Sequence, residues 1–185
     1  MRWDGLFADL EGQAEALSIA ERSAEIEDRT RYETGQLALI DRLRPSIGQP
    51  LRLRCLGAVS VSGVLRRAHP DWLLIEESAG REALLIAAAL CSIAGLGRQA
   101  SPVGSASIVQ SRLGLRHALR LVARDRSSVR MHLRDASVLD GTLDRVGADH
   151  VDLAVHAAGE WRRHDAVTEV LSVPFSAIVA LRRDG

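Results

Sequence analysis

Apolar positions along this chain change period twice, and the whole cycle then runs again. From Trp3 to about Arg44 they recur at helical spacing: Trp3, Leu6, Leu10, Leu17, Ala20 and Ala24 follow a rough heptad, and Leu37, Ile40 and Leu43 begin a second stripe. The stretch has no proline, and its only glycines are Gly5, Gly12 and Gly35. It therefore predicts a long helix, broken near Gly35 and ended by Pro45 and Gly48. Its Ala-rich seam makes a weak coiled coil at best. From Leu51 to Val64 the pattern becomes an imperfect alternation rich in Val and Leu, followed by a turn at His69, Pro70 and Asp71 and a strand WLLIEE. Gly95 to Ala106, with Gly, Pro and Ser and no apolar period, reads as a linker. SIVQSRLGLRHALRLVARDR then reads as a second helix, with Ile108, Leu115, Leu119 and Val122 on one face.

The cycle is an internal repeat. Leu51 to Glu76 overlays Val129 to Ala154 without a gap: Arg52/Arg130, Ala58/Ala136, Gly63/Gly141, Leu65/Leu143, Arg67/Arg145 and Asp71/Asp149 coincide. A repeat has to be recognised before a fold is assigned. It also settles an ambiguity, because the Ala-rich ALLIAAALCSIAGL is helical by propensity but aligns with VLSVPFSAIVAL, whose Val, Pro and Phe favour two short strands. The prediction is a mainly β, α+β chain: a helical arm over 1–46, a five-stranded unit over 47–97, a linker over 98–106, and a helix plus a second five-stranded unit over 107–185. Units this small bury little core alone, so each needs the other or a second chain to pack against.

A helix is followed by the alternation Val129, Met131, Leu133, the turn at Arg134-Asp135-Ala136, Leu139-x-Gly141 at a strand bend, Asp149 in the next loop, and Val173 to Ile178 for the closing strands. In these points the chain resembles the Sm-like family, in which a helix leads into a small, strongly bent five-stranded barrel. Glycine at such a bend has a physical reason, since a side chain would obstruct a sharply coiled strand. The resemblance covers most of the chain beyond residue 46, and the chain as a whole resembles actinobacterial proteins. It implies two Sm-like barrels, and an RNA-binding, non-enzymatic protein that pairs strand edges into oligomers. The departures are specific. Ala136 and Leu56-Gly57-Ala58 stand where the family has Asp-Gly. Val173-Pro174-Phe175-Ser176 and Ile86-Ala87-Ala88-Ala89 stand where its members carry their RNA-reading residues, so those pore residues do not transfer to this chain.

Composition changes the picture in three ways. There is no Lys and no Asn, and all 24 basic residues are Arg, as a GC-rich genome would produce. Cys55 and Cys91, both in apolar surroundings, fit reduced thiols rather than a disulfide framework. The acidic, amphipathic start MRWDGLFADLEGQ is unlike a signal peptide and no apolar run is of membrane-span length, so a soluble, cytoplasmic protein is expected. The net charge of zero hides an asymmetry: residues 1–28 hold eight acidic residues against Arg2 and Arg22, a net of −6, which leaves +6 on the rest.

The basic excess concentrates at Arg112, Arg116, Arg120 and Arg124, spaced by four on the second predicted helix, with Arg126 and Arg130 following. Like charges at this spacing repel by a few tenths of a kcal/mol each unless an anion lies along them. Three readings stay open: a solvated helix face, a nucleic-acid backbone, or the chain's own acidic arm. Trp72 and His150 occupy equivalent places beside Asp71 and Asp149, where an aromatic could stack on a base or serve as a core or interface residue. His156 and His164 lack further ligands at metal-binding spacing, and Trp161, Arg162 and Arg163 form a further candidate contact. No nucleophile with its base, phosphate-binding glycine loop or paired carboxylate is evident, so no catalytic residue, metal, cofactor or small-molecule substrate is expected. The functional expectation is RNA binding of low sequence specificity, in RNA turnover or regulation. The alternatives are a protein-interaction scaffold using the acidic helix and open barrel edges, and, third, a DNA-binding transcriptional regulator.

Overall fold

The computed structural model describes residues 2–78, 80–97, 99–101, 114–156 and 167–183. The chain forms two compact units, 1–38 and 39–185, and its fold is mixed α+β, with N-terminal helices and one large antiparallel sheet.

The first unit is α1, Arg2–Gly35. Its sequence has long runs of good helix formers, and its surface carries ladders of local pairs: Arg22 Nη2 to Ser18 Oγ at 2.8 Å, Arg31 to Asp28 at 3.0 Å, and Thr30 and Thr34 hydroxyls donating to carbonyls one turn back. It ends at Gly35, where the sequence predicts the break. Trp3, Phe7, Leu17, Ile19, Ile26 and Tyr32 are exposed along it.

The second unit begins with α2 (Leu39–Leu43) and a 3-10 turn at Arg44–Ser46 that contains Pro45. Ten strands follow: β1 Pro50–Cys55, β2 Ser60–Ala68, β3 Trp72–Ser78, β4 Arg81–Ile86, β5 Leu90–Ala94, then β6 Ser128–Leu133, β7 Val138–Val146, β8 His150–Val155, β9 Glu169–Pro174 and β10 Ile178–Arg183. A helix, α3 (Leu115–Asp125), precedes β6 and packs on β7. The strands make a single sheet in the order β5-β1-β2-β3-β4-β10-β6-β7-β8-β9. The Ala-rich segment that propensity would make helical forms β4 and β5, with only Ala87–Ala89 as a 3-10 turn.

Pairing repeats residue for residue. Leu51 opposes Gly63 as Val129 opposes Gly141, and Leu53 opposes Val61 as Met131 opposes Leu139. The irregularity between Leu65 and Arg67 recurs between Leu143 and Arg145. Beyond β3 and β8 the offset rises from 78 to 88, because by the pairing register the second half carries a ten-residue insertion between its third and fourth strands. On that offset Leu73↔Leu85 matches Val151↔Val173, and Leu53↔Ile93 matches Met131↔Leu181. Gly63 and Gly141 mark the bend in each half, and a Cβ there would lie 2.1 Å from the Glu76 carbonyl oxygen and 2.3 Å from that of Ala154. Only glycine allows β3 and β8 so close. The turns after β1 and β6 place Ala58 and Ala136 at positive φ, 58° and 68°.

Buried Leu51, Leu53, Leu65, Leu73, Ile75 and Leu85 in one half, and Met131, Leu143, Leu153 and Ile178 in the other, form one hydrophobic cluster. Leu119 and Ala118 of α3 join it. That helix starts at Gly114 and stops where Arg126 adopts a left-handed conformation, φ 58°.

Candidate functional site

The two halves meet where β10 pairs antiparallel with β4: Ala180↔Leu85, Leu181↔Leu84, Arg182↔Ala83 and Arg183↔Glu82. Arg182 is the polar centre of this junction. Its Nε and Nη2 donate to the two Glu77 carboxylate oxygens, each at 3.0 Å, Nη2 also donates to the Ser60 carbonyl at 2.8 Å, and Nη1 lies 3.3 Å from His132 Nε2. One guanidinium thus ties β10 to β3, β2 and β6. Arg has only donors, so the His132 contact requires Nε2 to accept. Burial, followed by the Arg182 and Arg130 guanidiniums, pushes the His132 pKa below its ordinary value, while Asp140 and Glu77 oppose that shift. Arg130 is itself held by Asp140, Nε to Oδ1 at 2.8 Å. Arg134 Nη2 reaches back to the Ala88 carbonyl at 3.3 Å.

A polar cleft of about 560 Å³ opens over this network, lined by β2, β3, β4, β6 and β10. Its rim includes Arg81, whose Nε donates to Ser78 Oγ at 2.9 Å. A second, mainly apolar groove of about 330 Å³ lies beside α3, between Trp72, Leu84 and Leu121.

The sheet ends at β5 and β9. By the repeat, β5 is the counterpart of β10 and β9 that of β4. The junction strands bury Val179, Ala180 and Leu84, whereas their counterparts Cys91, Ser92 and Ser172 are exposed.

The residues singled out from the sequence are dispersed over this framework. Arg116, Arg120 and Arg124 lie exposed on α3, and Arg126 is exposed at its end; Arg112 lies outside the described residues. Arg130 is in the cleft. Trp72 is buried, its ring stacked on His69 with centroids 5.9 Å apart and planes 15° apart. His150 Nδ1 sits 2.9 Å from Asp149 Oδ1, and that hydrogen bond is the first cause of a lowered Asp149 pKa. Buried His156 pairs through Nε2 with Thr142 Oγ1 at 2.8 Å. Trp161, Arg162, Arg163 and His164, and most of the expected linker over 98–106, lie outside the described residues. Cys55 and Cys91 are free thiols; burial, reinforced by Cys91, pushes the Cys55 thiol up to about 11. Among the described residues no three His, Cys, Asp or Glu side chains cluster as metal ligands, and no helix is long and apolar enough to cross a membrane.

Arg182, Glu77 and His132 were not foreseen from the sequence. A signal existed: at the repeat positions of Arg182 and Arg183 the first half carries Ala94 and Gly95, a departure from the repeat at the end of the last strand. No protein-family model matches the chain, and no curated protein matches it.

Proposed function

We propose that this chain is a tandem pair of Sm-like five-stranded small barrels and serves as a non-enzymatic scaffold that assembles with further copies of itself, edge to edge. The observation that carries this reading is the β4–β10 junction, together with the two sheet ends it leaves over. A strand end with unpaired N–H and C=O groups is a template for another strand. Here the two templates are the counterparts of the pair already joined inside the chain. Carried over by the repeat, the same register places Ser92 against Val173, Ile93 against Ser172, Ala94 against Leu171 and Gly95 against Val170 of the next copy. Exposed Val170 and Cys91 would then be covered. Such head-to-tail pairing gives a ring where the rotation closes and a filament where it does not.

Sedimentation of the full chain tests this. Assembly predicts a species at a multiple of 20.1 kDa, reduced to the single chain by Val170→Lys or Ser92→Lys, both at exposed edge positions. A wild-type chain that sediments at the single-chain mass at high micromolar concentration refutes the reading.

A second reading is favoured by one observation. Arg116, Arg120 and Arg124 are all exposed on one helix, a cationic row suited to the phosphates of single-stranded RNA. Changing the three to Ala should lower the slope of log affinity against log salt by about 2, at roughly 0.7 per phosphate contact. An unchanged slope removes α3 as an RNA surface.

A further inference from the structure

The structure carries an anion site that the assembly reading does not use. We infer that the cleft over the β4–β10 junction binds a phosphate-bearing anion, held between Arg81, Arg130 and Arg182.

The lining brings four guanidinium groups together with a single carboxylate, Glu77. Arg182 and Arg130 stand directly opposite each other on β10 and β6, an arrangement that is unfavourable between like charges unless something negative lies between them. Glu77 is occupied by Arg182 through both oxygens, Asp140, from β7, holds Arg130, and Asp125, at the end of α3, pairs with Arg183 at 3.2 Å. That leaves Arg81 as the uncompensated cation: among the described residues its one side-chain hydrogen bond is to the neutral Ser78 hydroxyl. Its terminal nitrogens are available as a fork, the geometry that suits phosphate oxygens. Exposed Ser62 adds a hydroxyl donor on the same lining.

The fold does not require this constellation. β5 pairs with β1 in the register by which β10 pairs with β6, yet the position of Arg182 there is Ala94. The halves share the pairing and differ in the charge, so among the described residues this guanidinium cluster stands where the halves meet. The volume, about 560 Å³, lies within the roughly 300–1,000 Å³ of small-ligand sites. A singly charged carboxylate would answer one guanidinium, whereas a diphosphate group spans several. The diphosphate or phosphate can come from a free small molecule or from a nucleic-acid backbone.

Titration calorimetry of the full-length chain with inorganic pyrophosphate at low ionic strength is the test. One site per chain is expected, weakened about tenfold by Arg81→Ala, the loss of one charge-assisted hydrogen bond. Ser62→Glu, which puts a carboxylate in the cleft, should abolish binding, while the Arg116/Arg120/Arg124→Ala variant should bind as wild type. Both cleft substitutions are at exposed positions, and an unchanged thermal melt confirms that each variant is folded. Single-stranded RNA that displaces pyrophosphate identifies a backbone phosphate as the source, and RNA that does not compete identifies a free ligand; either outcome supports the site. No heat with the wild type, or wild-type affinity in both Arg81→Ala and Ser62→Glu, overturns it. Sedimentation is a separate readout, so a failure here is distinguishable from a failure of assembly.

Discussion

Replacing Arg182 with Met keeps the aliphatic stem and removes the guanidinium that spans four strands. Four hydrogen bonds disappear: two to Glu77, at 3.0 Å each, one to the Ser60 carbonyl at 2.8 Å and one to His132 Nε2 at 3.3 Å. Hydrogen bonds to charged groups are worth roughly 1.5–3 kcal/mol when well buried. The Arg182 and Glu77 side chains are 25% and 23% exposed, so water replaces part of what is lost and partial screening reduces the ion pair. Some cost returns because Glu77 is left without its partner. Relief of repulsion from Arg130, directly opposite on β6, acts in the other direction. The balance is a destabilisation of about 2 kcal/mol. It would be read as a shift of the urea midpoint at constant slope. A cycle with Glu77→Gln should give a coupling of about 1 kcal/mol. A single-variant loss below about 0.5 kcal/mol, the range of ordinary surface substitutions, would refute the assignment of Arg182 as the clamp between the halves.

Four further outcomes follow from the geometry. Gly141→Ala should cost about 3 kcal/mol in denaturant melts, because its Cβ would meet the Ala154 carbonyl oxygen at 2.3 Å and β8 would have to move; a neutral result would mean the strands separate freely there. Ala136→Gly, at φ 68°, should stabilise by about 0.5 kcal/mol, the relief of left-handed strain less the entropy of glycine. His132 has a lowered pKa in the folded state, so the unfolded chain binds its proton first: this contribution is intact above about pH 6.5 and is lost as pH falls through the folded value. His132→Gln should flatten stability against pH in that window, and an identical profile would show that another group governs it. Cys91 should react with iodoacetamide in the dilute chain and become protected as concentration rises, since its counterpart Val179 is fully buried at the junction. Cys55, with its thiol pushed up to about 11, should stay inert until unfolding.

Much of the strand framework is legible in the residues because its signals are local. Alternation from Leu51 and from Val129, turns at Leu56–Ala58 and Arg134–Ala136, and the bend glycines each concern neighbours in the chain. The second copy of the pattern corrected the helical propensity of the Ala-rich segment that forms β4 and β5. The candidate site was legible only in part. Arg116, Arg120 and Arg124 share a face because helical spacing alone dictates it, but Trp72 is stacked on His69 and buried rather than offered to solvent.

The repeat, the alternating strand segments and the acidic arm can be read from the residues alone, since each rests on periodicity or composition within a short window. The three-dimensional fold sets the return of β10 to pair with β4, which joins both halves into one sheet and leaves β5 and β9 at its ends. It also decided that Arg182 meets Glu77 and Ser60, 105 and 122 residues away in the chain. Pairing across such separations depends on which edges the folded halves present to each other, and no local pattern of apolar and polar residues encodes that choice.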